Sequence, residues 1–164
     1  MHLARGLVYA GTLPFWFLLF ASFGGVPSSL LGLMEVSRWG LAYAAVILSF
    51  ISGIHWMLAL EASQTGESKP ISEPRQMTER QAKWLLLNSN VVALWAWLMW
   101  GLQAEPLSWF GMALGFVWLL WLEVRLAKLP RVWPGFWSLR WQASAIAVVS
   151  LVATGIHQLN QAAL

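Results

Sequence analysis

Apolar residues run along this chain in blocks of about 16–22, nearly free of charge and separated by short polar stretches rich in Gly and Pro. Five blocks stand out, at residues 7–24, 39–60, 84–102, 107–126 and 141–159. At a rise of about 1.5 Å per residue, each comes close to the roughly 30 Å hydrocarbon core of a bilayer. The pattern predicts an all-α membrane protein, a five-transmembrane-helix bundle forming a single integral domain over residues 1–164. Thr78 and Gln81 are spaced as a capping box, so the third helix is predicted to begin in water, ahead of Trp84. Pro14 falls inside the first block and is expected to kink it, leaving the carbonyl of Ala10 without its helical donor. No internal repeat is visible, so an inverted-repeat transporter has no support.

Composition agrees with this pattern. The 164 residues are 59% hydrophobic and 10% charged, with a mean hydropathy of +0.61. A soluble domain is closer to half apolar and about a quarter charged. The chain has no cysteine, which excludes disulfides, thiolate metal sites and cysteine nucleophiles. The net charge of +3 and the pI near 9.8 would hint at nucleic acid in a soluble protein. Here the basic residues flank the apolar blocks, so anionic lipid headgroups are the expected partner and nucleic acid is not. The opening residues, Met1 to Gly6, fit neither a signal-peptide n-region nor a transit peptide, and the first block is expected to stay as an anchor.

The loops assign an orientation. Arg5 precedes the first block; Lys69, Arg75, Arg80 and Lys83 separate the second from the third; Arg125, Lys128, Arg131 and Arg140 lie around the gap between the fourth and fifth. Of the 10 basic residues only Arg38 falls on the other side. The positive-inside rule then gives a cytoplasmic amino terminus and an external carboxyl terminus. Most of the 13 tryptophans fall near block ends, with Trp39, Trp100 and Trp109 outside and Trp56, Trp84, Trp121, Trp133, Trp137 and Trp141 inside, as an aromatic belt. Trp16, Trp95, Trp97 and Trp118 lie deeper and are expected to pack between helices. The 61–83 connector reads as solvated, and the 129–141 stretch suits a segment lying in an anionic interface.

The strongest chemical signal is His55, an ionisable group inside an apolar block about 9 Å from its cytoplasmic end. Ala45, Ser49, Ser52 and Trp56 form a small-residue stripe on the same helix, with Gly53 beside it. Tyr9 and Thr12 sit at similar depth on the first block. Asn88 and Asn90 do so on the third, where their spacing lets only one face inward. Glu123 and Arg125 end the fourth block, and Arg125 could snorkel to water or turn in to hold an anionic headgroup or pair with Glu61. His55, Tyr9, Ser52, Asn88 and Arg125 are therefore the tentative ligand-binding residues of a cytoplasm-facing polar pocket. The plainer reading, in which a serine, asparagine or freed carbonyl satisfies His55 and the other groups reach the interface singly, weighs more.

A second stripe on the fifth block joins Ala143, Ala147, Ser150, Thr154, His157 and Gln161. His157 lies about 24 Å along its helix, at the opposite surface from His55, so the two cannot ligate one haem. Gly111 and Gly115 form a GxxxG motif, a weak pointer to a dimer. There is no aspartate and no carboxylate deep in a block, which argues against a carboxylate proton relay. No phosphate loop, HExxH, nucleophile elbow or metal-ligand cluster appears, so no catalytic residue, cofactor or metal is expected, and the balance is against an enzyme.

Three stretches carry a resemblance: Tyr9 through Pro14 to Phe15, Tyr43 through Gly53-Ile54-His55-Trp56, and Pro134 to Arg140. In these the chain resembles an uncharacterised family of small polytopic membrane proteins, found in proteobacteria and including a mitochondrial transmembrane protein of animals. The resemblance implies a bacterial inner-membrane location and an unassigned role. It also marks Tyr9, Pro14, His55, Trp56 and Arg140 as positions to mutate first. The function expected overall is a non-enzymatic accessory or assembly factor, acting through helix packing with other membrane proteins or a second copy of itself. The alternative is binding or translocation of a lipid or small amphiphile around His55.

Overall fold

A computed structural model gives the fold and describes residues 2–25, 36–64, 78–103, 106–126 and 135–163. Among the described residues all regular structure is helical. The elements are α1 (His2–Ser22), α2 (Val36–Gln64), α3 (Glu79–Leu102), α4 (Leu107–Leu126) and α5 (Phe136–Ala162). Each of the five apolar blocks is thus the heart of one helix. Four stretches are long and apolar enough to cross a membrane: Val36–Met57, Glu79–Leu102, Leu107–Arg125 and Trp137–Ala162. The 21-residue α1 is not among them, because Arg5, Thr12, Pro14 and two glycines dilute its apolar run. Lys69, Arg75, Lys128, Arg131 and Trp133, and the side chains of His2 and Glu61, lie outside the described residues.

Local chemistry sets the helix ends. At the start of α3 the capping box is complete: Gln81 N–H donates to the Thr78 hydroxyl, and Thr78 N–H donates to the Gln81 side-chain oxygen. That starts α3 at Glu79, on the water side of Trp84, and Gln103 closes it in the left-handed region at φ 45°. Gly135, at φ 92°, turns the chain into α5, a conformation that costs glycine no Cβ clash. The helix therefore begins at Phe136 rather than near Trp141, and this correction matters below. It moves Arg140 out of the expected loop and one turn inside a helix.

The helices form one bundle. α2 packs most extensively on α3, α5 lies against both α1 and α4, and α4 also touches α2 and α3. Phe15, Leu48, Trp109, Phe116 and Leu151 are among the side chains of the continuous core, to which all five helices contribute. Contact between α1 and α2 is slight, and an apolar groove of about 440 Å³ opens there, lined by Pro14, Phe17, Trp39, Gly40, Tyr43 and Val46. α1 runs unbroken through Pro14. The Tyr43 hydroxyl donates to the carbonyl of Gly11 at 2.7 Å, one residue beyond the carbonyl that the proline leaves free.

Several packing expectations need correction. Trp109, placed at a membrane surface by the sequence, is fully buried, while Trp16, Trp97 and Trp118 are exposed on the outside of the bundle. Block-end position locates a tryptophan along the helix but not around it. Trp95 is buried as expected in part, with its indole N–H donating to the Gly111 carbonyl at 2.8 Å. Gly53 faces open space, so the α2 packing stripe is Ala45 and Ser52 without it. Gly111 and Gly115 are buried, and a Cβ on them would meet Met99 of α3 and Leu48 of α2. The GxxxG motif therefore seats α4 within its own chain.

Candidate functional site

The bundle's most unusual site lies where α2 and α4 finish and α3 and α5 begin. Helical spacing puts Ser52, His55 and Ala59 on one face of α2, and all three are buried. From α4 comes Glu123, and from α5 Arg140, each only 7% exposed. The Arg140 guanidinium wraps the carboxylate. Its Nε lies 3.1 Å from both oxygens and its Nη2 lies 2.7 Å from Oε1. His55 Nε2 stands 3.5 Å from the same Oε1, close enough for charge attraction but too long for a strong hydrogen bond. Neither ring nitrogen of His55 has a hydrogen-bond partner among the described residues.

The partner nearest His55 is a carboxylate, where the sequence offered a serine, an asparagine or a freed carbonyl. Glu123 supplies it. A buried ion pair is tolerable only when its charges balance and its lone pairs are occupied, and the Arg140–Glu123 fork meets both conditions. The pair ties α4 to α5 and leaves His55 on α2 as a third, looser member. α3 faces the site with Ser89 and the apolar Ala82 and Leu85. The Ser89 hydroxyl donates to the Ser52 carbonyl at 2.8 Å, and the Ser52 hydroxyl donates to the Ser49 carbonyl at 2.7 Å.

Of the residues expected to line a polar pocket, only Ser52 stands beside His55. Tyr9 is exposed on α1, and its hydroxyl donates to the Gln142 side-chain oxygen at 2.9 Å. Asn88 and Asn90 each bond back to their own helix, at the carbonyls of Trp84 and Leu86, and Ser89 between them is the one that faces in. Arg125 is exposed and lies 5.1 Å from the ring centroid of Trp121. The expected pocket lacked Glu123, as the partner of His55, and Arg140, which the family resemblance alone had marked. Their signal was available, since all three fall near the same ends of their blocks. Among the described residues no group of His, Asp and Glu could hold a metal ion.

Four apolar helices around a buried polar cluster define an all-helical, multi-pass class of membrane protein. The chain belongs to the family described as protein of unknown function (DUF3429), whose model matches residues 2–156, nearly its whole length. This agrees with the resemblance drawn from the sequence. Comparison with curated proteins and with solved structures gives no match.

Proposed function

We propose a five-span protein of the bacterial inner membrane, in one domain with its amino terminus cytoplasmic, that acts as a non-enzymatic accessory or assembly factor. Its partners would be helices of other membrane proteins or of a second copy. The observation that carries this reading is the contrast between inside and outside. Several buried polar groups find their partners within the bundle, Arg140 with Glu123, Ser89 with Ser52 and Thr154 with Ser22. The outer surface meanwhile offers an apolar groove between α1 and α2, a shape that accepts a helix ridge.

The span count has its own support. α1 is 21 residues long, about 31 Å by helical rise, and its whole length is in helical conformation. Counting it as a span sets Arg5 and the buried cluster at the same surface as the basic connectors, which the positive-inside rule assigns to the cytoplasm.

A second reading, binding of a lipid or small amphiphile, draws its support from the same groove rather than from His55. The groove is apolar and within the size range of small-molecule sites. Photo-crosslinking residues at Trp39 and Val46, compared with Leu94 on the outer face of α3, separate the two. The packing reading expects discrete protein adducts from the groove positions alone, lost when Ala42→Phe fills the groove. Lipid adducts alone, equal at all three positions, would overturn it.

A further inference from the structure

The buried cluster has an imbalance that a purely structural tie would not need. Arg140 alone neutralises Glu123 and occupies both carboxylate oxygens. His55 adds nothing to that balance while neutral, and at 2% exposure neither ring nitrogen has a hydrogen-bond partner among the described residues. A buried, unsatisfied nitrogen is destabilising, a burden that an apolar residue of similar size would avoid. An imidazole can take up a proton on a ring nitrogen, and the His55 Nε2 is already 3.5 Å from a carboxylate oxygen.

We propose that His55, Glu123 and Arg140 form a proton-binding site in which proton uptake by His55 transfers the Glu123 carboxylate from Arg140 to the imidazolium. One proton enters from the adjacent aqueous phase and binds a ring nitrogen of His55. The Nε2–H then closes on Oε1 as a charge-assisted hydrogen bond. The cluster would now hold two cations and one anion, and a net charge in a dry bundle is expensive. Arg140 relieves it. It stands near the start of α5, so its long side chain can swing to the interface and take water or headgroup oxygens in place of the carboxylate. Loss of the proton reverses each step.

The other elements allow this exchange. Among the described residues the charged groups facing His55 are Glu123 from α4 and Arg140 from α5, while α3 presents Ser89, Ala82 and Leu85. Arg80 and Lys83 of α3 are exposed, and Lys83 is paired with Glu79. The consequence is a change of tie: α4 is bound to α5 when the site is empty and to α2 when it is protonated. The α4–α5 seam then loosens at this end of the bundle.

The absence of native cysteine makes the test clean, because any introduced thiol is unique. Ser144 is buried one turn beyond Arg140 on the same face of α5, and Ser138 is exposed on that helix. The full chain in lipid nanodiscs carries Ser144→Cys, labelled with a charged methanethiosulfonate and normalised to Ser138→Cys. The normalised rate is expected to rise about tenfold from about pH 8 to about pH 5.5, and to be flat in the His55→Gln background. A flat rate with His55 present, or the same rise without it, overturns the proposal. If His55→Gln does not fold, 15N spectra of the otherwise native protein decide. The proposal expects an imidazolium at the lower pH, with the Arg140 Nε–H leaving its carboxylate-bonded position. A neutral imidazole at both pH values, or an unmoved Arg140 signal, overturns it.

Discussion

Arg140 of α5 and Glu123 of α4 are 17 residues apart in sequence and meet in a buried fork whose shortest contact is 2.7 Å. The guanidinium and the carboxylate are matched in shape as well as charge, which lets two ions sit in an apolar bundle. The pair joins consecutive helices, so it also fixes the depth of α5 relative to α4.

Removing one partner leaves the other as an uncompensated buried charge. Glu123→Gln and Arg140→Gln are each expected to destabilise the protein by about 3–5 kcal/mol, and the double change to Met at both positions to recover most of that loss. Unfolding by denaturing detergent, followed through tryptophan fluorescence, measures the three variants. A loss in the double variant equal to the sum of the two single losses would show that the fork contributes no pairing.

Tyr43 makes a smaller but informative tie. Its hydroxyl reaches the Gly11 carbonyl of α1 at 2.7 Å, next to the turn that Pro14 disturbs, and its ring packs edge-on against Phe15. Tyr43→Phe keeps the ring contact and deletes the bond. It is expected to cost about 0.5–1.5 kcal/mol and to speed hydrogen exchange in α1 more than in α3. Uniform exchange across both helices would contradict a role local to the proline.

Much of the architecture was legible in the sequence because it rests on one-dimensional signals. Block lengths located the helices, and Thr78 with Gln81 named the start of α3. The candidate site was less legible, because it depends on which way each side chain points. Ser89 faces in while Asn88 and Asn90 beside it do not, and hydropathy does not distinguish such neighbours within a polar triplet. Hydropathy places Arg140 in a loop because the apolar run begins at Trp141, whereas the helix begins where Gly135 permits the turn. By position alone Glu123 is a block-end residue. Only packing shows that α2 and α5 close over it.

The glycines of α2 offer a contrast within one helix. A Cβ at Gly40 would stand 2.6 Å from Leu18 and 2.9 Å from the ring of Trp109, and at Gly53 it would meet nothing within 4 Å. Gly40→Ala is therefore expected to destabilise by about 1–3 kcal/mol through overpacking. Gly53→Ala is expected to be neutral or to stabilise by about 0.5–1 kcal/mol, by restricting the unfolded chain. Melting temperatures in one detergent rank the two. A stable Gly40→Ala would mean that α1 shifts freely against α2.

The tryptophans make the last prediction, and it bears on how such chains are read. Trp109 and Trp39 both sit near helix starts, and the sequence assigns both to an interfacial belt. Trp109 is fully buried against the core of α2 and α5, whereas Trp39 is 70% exposed at the rim of the α1–α2 groove. Trp109→Ala should open a cavity and cost about 3–5 kcal/mol. Trp39→Ala should change stability by less than about 0.5 kcal/mol, as expected away from packed features. Its effect should appear instead in whatever occupies the groove, read as loss of the crosslinks formed from Val46. A large stability loss at Trp39 together with a small one at Trp109 would restore the belt assignment for Trp109 and remove the groove as a free surface.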